Sequence, residues 1–259
     1  MPEVYATLHK QDGIARIEFA QPATLNALSP QAIAQLSLLF KELAGDPSMQ
    51  VVILTGSGKA FIAGADIKQM SQMSDVQAWQ FAREGQELLN LLEELPQVTI
   101  AAVNGFALGG GCEVAMACDL IYAADSAIFG QPEVGLGIIP GFGGTVRLQQ
   151  RLGLGAAKEW ILRGFRIDAA KAMQQGLVQA VFPASALLDE TLKIAKEIQG
   201  KSPHALMLGK RSLQFAASHP QAASLQYEAE LFSQCFTHHD QKEGTSAFVE
   251  KRPPHWKIG

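Results

Sequence analysis

The chain sets a lone carboxylate in a glycine-rich run, Gly109-Gly110-Gly111-Cys112-Glu113. The residues that follow, Val114-Ala115-Met116-Ala117, are small and apolar, so the run opens into a helix. A helix start leaves peptide N–H groups without internal acceptors, and glycine lets other atoms approach that backbone closely. Such a place holds an anion, or an oxyanion that develops during a reaction. Glu113 is then a candidate acid or base. A second acid, Glu133, lies 20 residues further on in Gln131-Pro132-Glu133-Val134-Gly135. Two carboxylates brought to one cleft can divide acid and base roles once their surroundings separate their pKa values. Plainer uses stand beside this one: Glu113 as a first-turn acid that favours its helix start, and Glu133 as a solvent-facing loop acid.

Other chemistries lack their residues. The glycine run is not GxGxxG, no GxxxxGK[ST] loop is present, and Ser57 is not in a GxSxG elbow. The six histidines, His9, His204, His219, His238, His239 and His255, make no HExxH pattern. The three cysteines, Cys112, Cys118 and Cys235, make neither CxxC nor a disulfide framework and read as small buried hydrophobes. No metal site is expected.

The elements that must position the two acids follow from patterning. Tyr5–Leu8 and Ile14–Phe19 alternate around Gln11-Asp12-Gly13, a hairpin. Ser29-Pro30 reads as an N-cap with proline at the first helical position, opening a helix to about Leu43. Val51–Thr55 and Thr99–Val103 are short continuous apolar runs, the mark of strands covered on both faces. Between them, residues 56–67 read as a loop and residues 68–75 as polar and mobile, and a long helix is predicted over Val76–Leu95. Strands are predicted at Leu120–Ala123 and Ala127–Phe129, then a glycine-dense loop over Pro132–Gly144 and a helix over Thr145–Leu152. This alternation predicts an α/β fold with crossovers between largely parallel strands. No clean sequence repeat is visible. Beyond Ala156 strand patterns nearly vanish, apart from Leu177–Phe182. Helices are predicted at Ala156–Leu162, Ala169–Gln174, Ala186–Gln199, His204–Ala217, Ser224–Phe236 and Asp240 to about Lys251. Three glycine-bearing loops, 56–66, 104–111 and 130–144, follow buried strands, which is where α/β folds build their sites.

Composition narrows the function further. A chain of 259 residues is one large or two small domains with a well-buried core. Its 21 basic and 25 acidic residues give a formal charge of −4, so no nucleic-acid-binding face is expected. Residues 1–20 lack a basic-then-apolar leader, and no apolar run reaches the roughly 18 residues of a membrane span. A cytoplasmic protein is expected.

Ordered motifs then identify a resemblance. They are Phe61-Ile62-Ala63-Gly64-Ala65-Asp66-Ile67, Ala102-Val103-Asn104-Gly105-Phe106-Ala107-Leu108-Gly109-Gly110-Gly111-Cys112-Glu113, and Phe129-Gly130-Gln131-Pro132-Glu133 running on to Pro140-Gly141-Phe142-Gly143-Gly144-Thr145. The tail Asp240-Gln241-Lys242-Glu243-Gly244, with Ala247-Phe248-Val249-Glu250-Lys251-Arg252, fits too. Over essentially its whole length the chain resembles the crotonase, or enoyl-CoA hydratase/isomerase, superfamily, nearest to its short-chain hydratases. The resemblance implies a spiral α/β core of repeated ββα units over residues 1–195. It implies a helical oligomerisation region over 196–259 and a hexamer built as a dimer of trimers. The substrate it implies is an acyl thioester of coenzyme A, with no separate cofactor.

By position in the motifs, the peptide N–H groups of Ala65 and Gly110 would form an oxyanion hole for the thioester carbonyl. Glu113 and Glu133 fall where hydratase members keep two catalytic glutamates, and Gly141 would offer its N–H to the water or to Glu133. Leu25 and Ala27 would line the pantetheine channel through their backbone, with Asn26 bracing that loop. Ala63, Asp66 and Ile67 would lie along the ligand, Asp66 tying its loop together, and Lys68 would stand at the rim. Phe248 and Lys251 match positions that reach the adenine or phosphate of a neighbouring subunit's ligand. The acyl pocket would draw on Met70, Met73, Trp79, Phe81, Leu88, Leu136 and Phe142. Together these imply reversible addition of water to a trans-2-enoyl thioester. The alternatives are an isomerase that moves a 3-enoyl double bond to position 2, and a non-catalytic acyl-CoA-binding oligomer.

Overall fold

The computed structural model describes residues 4–257. The chain opens with the expected hairpin, β1 (Ala6–Gln11) and β2 (Ile14–Phe19), paired antiparallel. Ser29 caps α1 (Pro30–Ala44) by accepting from the Ala32 N–H, and Pro30 takes the first helical position. β3 (Val51–Gly56) follows, and its Val51-Val52-Ile53-Leu54 is wholly buried, which accounts for the unbroken apolar run.

From here the chain repeats one pattern. β3 leads into the short β4 (Ala60–Ile62), then α2 (Ile67–Met70) and α3 (Asp75–Glu93). β5 (Val98–Val103) leads into β6 (Phe106–Leu108) and α4 (Gly110–Ala117). β7 (Leu120–Ala124) leads into β8 (Ile128–Gly130), a 3-10 turn over Glu133–Leu136, and α5 (Gly144–Arg163). After α5 come β9 (Arg166–Asp168), α6 (Ala169–Gln174), β10 (Ala180–Phe182) and α7 (Leu187–Gln199). The long strands, with the three-residue β10 at one edge, build one six-stranded sheet in the order β1-β2-β3-β5-β7-β10, parallel from β2 onward. The short strands build a second sheet, β4-β6-β8-β9, with only β9 antiparallel. The matching orders β3-β5-β7 and β4-β6-β8 make this an α/β fold of repeated ββα turns. The repeat is in the backbone, where the sequence shows none.

Several expectations need correction. The segment 56–67 is not all loop, since β4 lies within it, and the stretch expected to be mobile begins with the helix α2. β6 stands between the second buried strand and the glycine turn. The two helices expected at 145–152 and 156–162 do stand apart within α5, on either side of Gly153 (φ 79°, ψ 162°), whose backbone leaves the helical region and kinks the chain there.

α7 packs against β3, β5 and β7, and α8 (Pro203–Ala216) touches β5. α8 pairs mainly with α9 (Gln221–Cys235), and α10 (His239–Val249) follows. These last helices leave large apolar side chains in the open, among them Leu213, Phe232, Phe248 and Val249. No helix among the described residues is long and apolar enough to cross a membrane.

Candidate active site

The site forms where the three ββα turns bring their loops together. Asn26 anchors the first of them. Its amide nitrogen donates to the carbonyls of Ser57 (3.1 Å), Ala60 (2.8 Å) and Phe61 (3.2 Å), while its oxygen accepts from the Gln21 N–H at 2.9 Å. The expected brace is therefore present, and it ties the 21–28 loop to β4. At the end of that loop Leu28 bridges the chain around Ala65. The Leu28 N–H donates to Gly64 O and the Asp66 N–H donates to Leu28 O, both at 2.9 Å. In parallel pairing of this kind the residue between the two bonded neighbours turns its own N–H and C=O the other way. The Ala65 N–H thus has no acceptor among the described residues, and Ala65 lines a cavity.

The second loop supplies the matching donor. Gly109 sits at φ 50°, ψ −122°, a region closed to other residues at ordinary cost, and there turns β6 into α4. Gly111 then lies so close to β4 that a Cβ on it would be 1.9 Å from Ile62 O. That contact presses the start of α4 onto the strand that leads to Ala65. Gly110 is the first residue of α4; its N–H has no acceptor among the described residues, and it lines the same cavity. Two peptide donors, one of them at a helix start, therefore face one cavity of about 1120 Å³.

Both glutamates line that cavity as well. Glu113 is 1% exposed and Glu133 8%. Glu113 Oε1 accepts from the N–H groups of Phe142 (2.8 Å) and Gly144 (2.6 Å), the latter being the first residue of α5. Its Oε2 accepts no hydrogen bond from the described residues. Burial pushes the Glu113 carboxyl up to about 7, and the nearby charge of Glu133 adds to this. The two peptide donors and the Arg147 charge oppose that rise. Burial also lifts Glu133 to about 7, against its own peptide N–H. The Gln131 amide is fully buried beside it. With its nitrogen toward the acid, it donates to both Glu133 oxygens at 3.1 Å. A buried pair that titrates around neutrality can hold one proton between them and pass it.

The remaining expected residues divide. Ala63, Ala65, Ile67, Gly110 and Gly141 line the cavity. So do Met70, Met73, Phe81, Leu136 and Phe142, whereas Trp79 is 65% exposed and Leu88 is buried in the core, so neither belongs to the pocket wall. Gly141 makes no hydrogen bond to Glu133. Its carbonyl accepts from the Gln86 amide, and the loop's N–H groups that reach a catalytic candidate are those of Phe142 and Gly144 on Glu113. Asp66 caps α2 through the Gln69 N–H (3.1 Å) and the Gln69 amide (3.0 Å), and is not in the cavity wall. Leu25, Ala27 and Lys68 lie outside the wall, Leu25 and Lys68 exposed. Phe248 and Lys251 are exposed on the tail. Sequence reasoning missed the Phe142 and Gly144 donors because main-chain groups carry no residue signature.

A family model described as "Enoyl-CoA hydratase/isomerase" matches residues 9–258. The chain is 42% identical over 246 residues to the short-chain-enoyl-CoA hydratase of Clostridium acetobutylicum, covering 95% of this chain and 94% of that protein. It is 43% identical over 246 residues to the crotonyl-CoA hydratase of Syntrophomonas wolfei, covering 95% of each. Among solved structures, an enoyl-CoA hydratase from Bacillus anthracis superposes with a TM-score of 0.95 at 36% identity, covering 99% of this chain and 100% of that one.

Proposed function

This chain belongs to the enoyl-CoA hydratase/isomerase family, and on that premise we propose that it adds water reversibly to the double bond of a trans-2-enoyl-CoA, giving a 3-hydroxyacyl-CoA. The observation that carries the reading is the meeting of two buried carboxylates and two unpaired peptide donors on one cavity. The thioester carbonyl oxygen accepts from the Ala65 and Gly110 N–H groups. Water sits between Glu113 and Glu133. Glu113, ionised, takes a proton from the water as its oxygen bonds to C3. The double-bond electrons move through C2 onto the carbonyl oxygen, where the two N–H groups stabilise the enolate. A protonated Glu133 then delivers its proton to C2, and proton exchange resets the pair. Each donor of such a hole contributes about 3–4 kcal/mol to the barrier reduction, and a placed proton-transfer group about 10²–10⁴-fold. Both carboxyls are raised to about 7, so the pair shares a proton near neutrality, and the Phe142 and Gly144 N–H groups with the Arg147 charge favour the ionised form at Glu113.

The rest of the ligand follows the same reading. Leu25 and Ala27 offer backbone to the pantetheine arm, Ala63, Asp66 and Ile67 flank it, Gly141 borders the water, and Lys68 meets the phosphates. Phe248 and Lys251 act on the ligand of a neighbouring copy in a hexamer built as a dimer of trimers. In that reading residues 1–195 are the catalytic core and 196–259 the oligomerisation region. The open apolar side chains of α8–α10 support such burial. A cytoplasmic location belongs to the reading too, supported by three free thiols.

The test measures water addition directly on a panel of short, long, branched and cyclic 2-enoyl-CoA esters, for wild type, Glu113→Gln and Glu133→Gln. Both substitutions abolish most hydration if the reading holds. Full hydration by either variant overturns the two-acid mechanism, while migration of a 3-enoyl double bond to position 2, tolerant of losing one acid and with no water added to any 2-enoyl ester, favours the single-acid isomerase. Tight acyl-CoA binding without water addition to any ester marks a binding protein instead.

A further inference from the structure

The two groups that hold Glu113 are the Phe142 N–H, in a loop of residues 140–143 with no regular structure of its own, and the Gly144 N–H, where that loop enters α5. What fixes that loop is Arg147, in the first turn of α5. Its guanidinium is buried and makes four hydrogen bonds. Nη1 donates to Phe142 O at 2.7 Å. Nε and Nη2 fork onto Glu93 Oε1 (2.8 Å) and Oε2 (2.7 Å), and Nη2 also reaches Asn90 Oδ1 at 3.1 Å. Asn90 and Glu93 stand on the last turn of α3. Phe142 is therefore held twice: its carbonyl by Arg147, and its N–H by Glu113 Oε1. Its ring adds a third hold, edge-on to Phe81 of α3 with centroids 5.1 Å apart.

An ion pair between a buried guanidinium and a half-buried carboxylate adds little to stability beyond what apolar side chains of the same size supply. Stability alone therefore does not account for a fork spanning two helices at this spot. We propose that Arg147 is a positioning residue for Glu113: by clamping the Phe142 carbonyl to the end of α3, it fixes the two amides that aim the acid's other oxygen into the cavity. Other charged groups stand close by. Glu113 is on α4 and Glu133 on the 3-10 turn, while Arg151, Asp119 and Lys210 share a second cavity of about 810 Å³ with Glu93 and Arg147. Asp119 and Lys210 are already paired with each other at 2.8 Å. Arg147 is thus the cation hydrogen-bonded to the loop that holds Glu113.

The test compares Arg147→Met, Arg147→Lys and Glu93→Gln with wild type. Its turnover readout rests on the hydratase reading. In Arg147→Met, kcat for hydration falls roughly 10- to 100-fold, the size expected for a misplaced catalytic group, with KM changed less than about 3-fold. The acid limb of its kcat profile moves to higher pH, because a positive charge near Glu113 is lost. Arg147→Lys restores that limb but leaves kcat about 3- to 10-fold low, since one ammonium cannot reproduce the planar fork. Glu93→Gln, which keeps an acceptor but loses the ion pair, lowers kcat less than Arg147→Met. A second readout needs no turnover: infrared titration of the Glu113 carboxylate, identified by its loss in Glu113→Gln. Its midpoint rises in Arg147→Met. Wild-type kcat in Arg147→Met, or a lowered kcat with the acid limb and the Glu113 band unmoved, overturns the proposal. Where Arg147→Met does not fold, wild-type kcat and an unmoved band in Glu93→Gln overturn it. A wild-type chain that hydrates no ester overturns the hydratase reading, and the infrared band then decides the role of Arg147.

Discussion

Gly109→Ala offers a sharp test of the site because it touches a catalytic candidate through one atom. A Cβ at 109 would lie 2.5 Å from Glu133 Oε1 and 3.3 Å from its carboxyl carbon, where ordinary contact begins near 3.4 Å. The backbone there (φ 50°, ψ −122°) cannot relax to suit alanine, because Gly109 N–H donates to Gly130 O at 2.9 Å and the start of α4 is pressed on β4. The side chain of Glu133 must give way by about 1 Å. A displacement of that size costs a reacting group about 10²-fold in rate. The strained backbone costs about 1–3 kcal/mol of stability, which at this chain length is several degrees of melting temperature. The variant should therefore fold, melt several degrees early, and hydrate a 2-enoyl-CoA about 100-fold more slowly, with KM nearly unchanged. Hydration is followed by loss of the ultraviolet absorbance of the conjugated thioester. A folded Gly109→Ala protein within about twofold of wild-type kcat would refute the placement of Glu133 at the reacting carbon.

Other expectations follow from the same geometry. Gly111→Ala puts its Cβ 1.9 Å from a backbone oxygen that cannot swing aside, so it should cost more than about 4 kcal/mol and give little soluble protein, read by expression and denaturation. Asn26→Ala strips three donor bonds and one acceptor bond from a buried loop; denaturation should show a loss of about 2–4 kcal/mol. The kcat profile should be bell-shaped about a maximum near pH 7, its limbs belonging to the Glu113–Glu133 pair, and Glu113→Gln should abolish that shape. Glu133 also bears on stability. Its carboxyl holds a proton up to about 7 when folded but only to the ordinary 4.5 when unfolded, so stability falls as pH rises through that window. Glu133→Gln should therefore raise the stability at pH 8 by roughly 1–3 kcal/mol and bring no such gain at pH 4, measured by thermal melts.

What could be read in the chain had a strong local signature. Ser29-Pro30, the Gln11-Asp12-Gly13 turn and the continuous run Val51–Leu54 each carry their structure in a few residues, and each stands where expected. Of the second sheet only β8 was read as a strand; β4, β6 and β9, three residues each, are too short to show alternation and lay hidden in apparent loops. Trp79 and Leu88 sit on the same helix as Phe81, and helical spacing alone does not say which side faces a cavity. α3 turns Phe81 toward it, Leu88 into the core and Trp79 outward. The glycine run gave away the start of α4, and Asn26 stood out as a polar residue in an irregular loop. The hold on Glu113 was not legible, because it is made by main-chain N–H groups whose placement depends on Arg147 and Glu93, 54 residues apart in sequence.

Glu113 has one oxygen tied down by two peptides and the other free. A carboxylate able to rotate would present either oxygen and accept a nucleophile from more than one side. This one offers only Oε2, at a position set by the framework of the protein. In the hydratase reading, the configuration of the new alcohol carbon is thus inherited from the main chain. Reshaping Met70, Met73 or Leu136 would alter which chains fit and how fast they turn over, while the product stays one enantiomer.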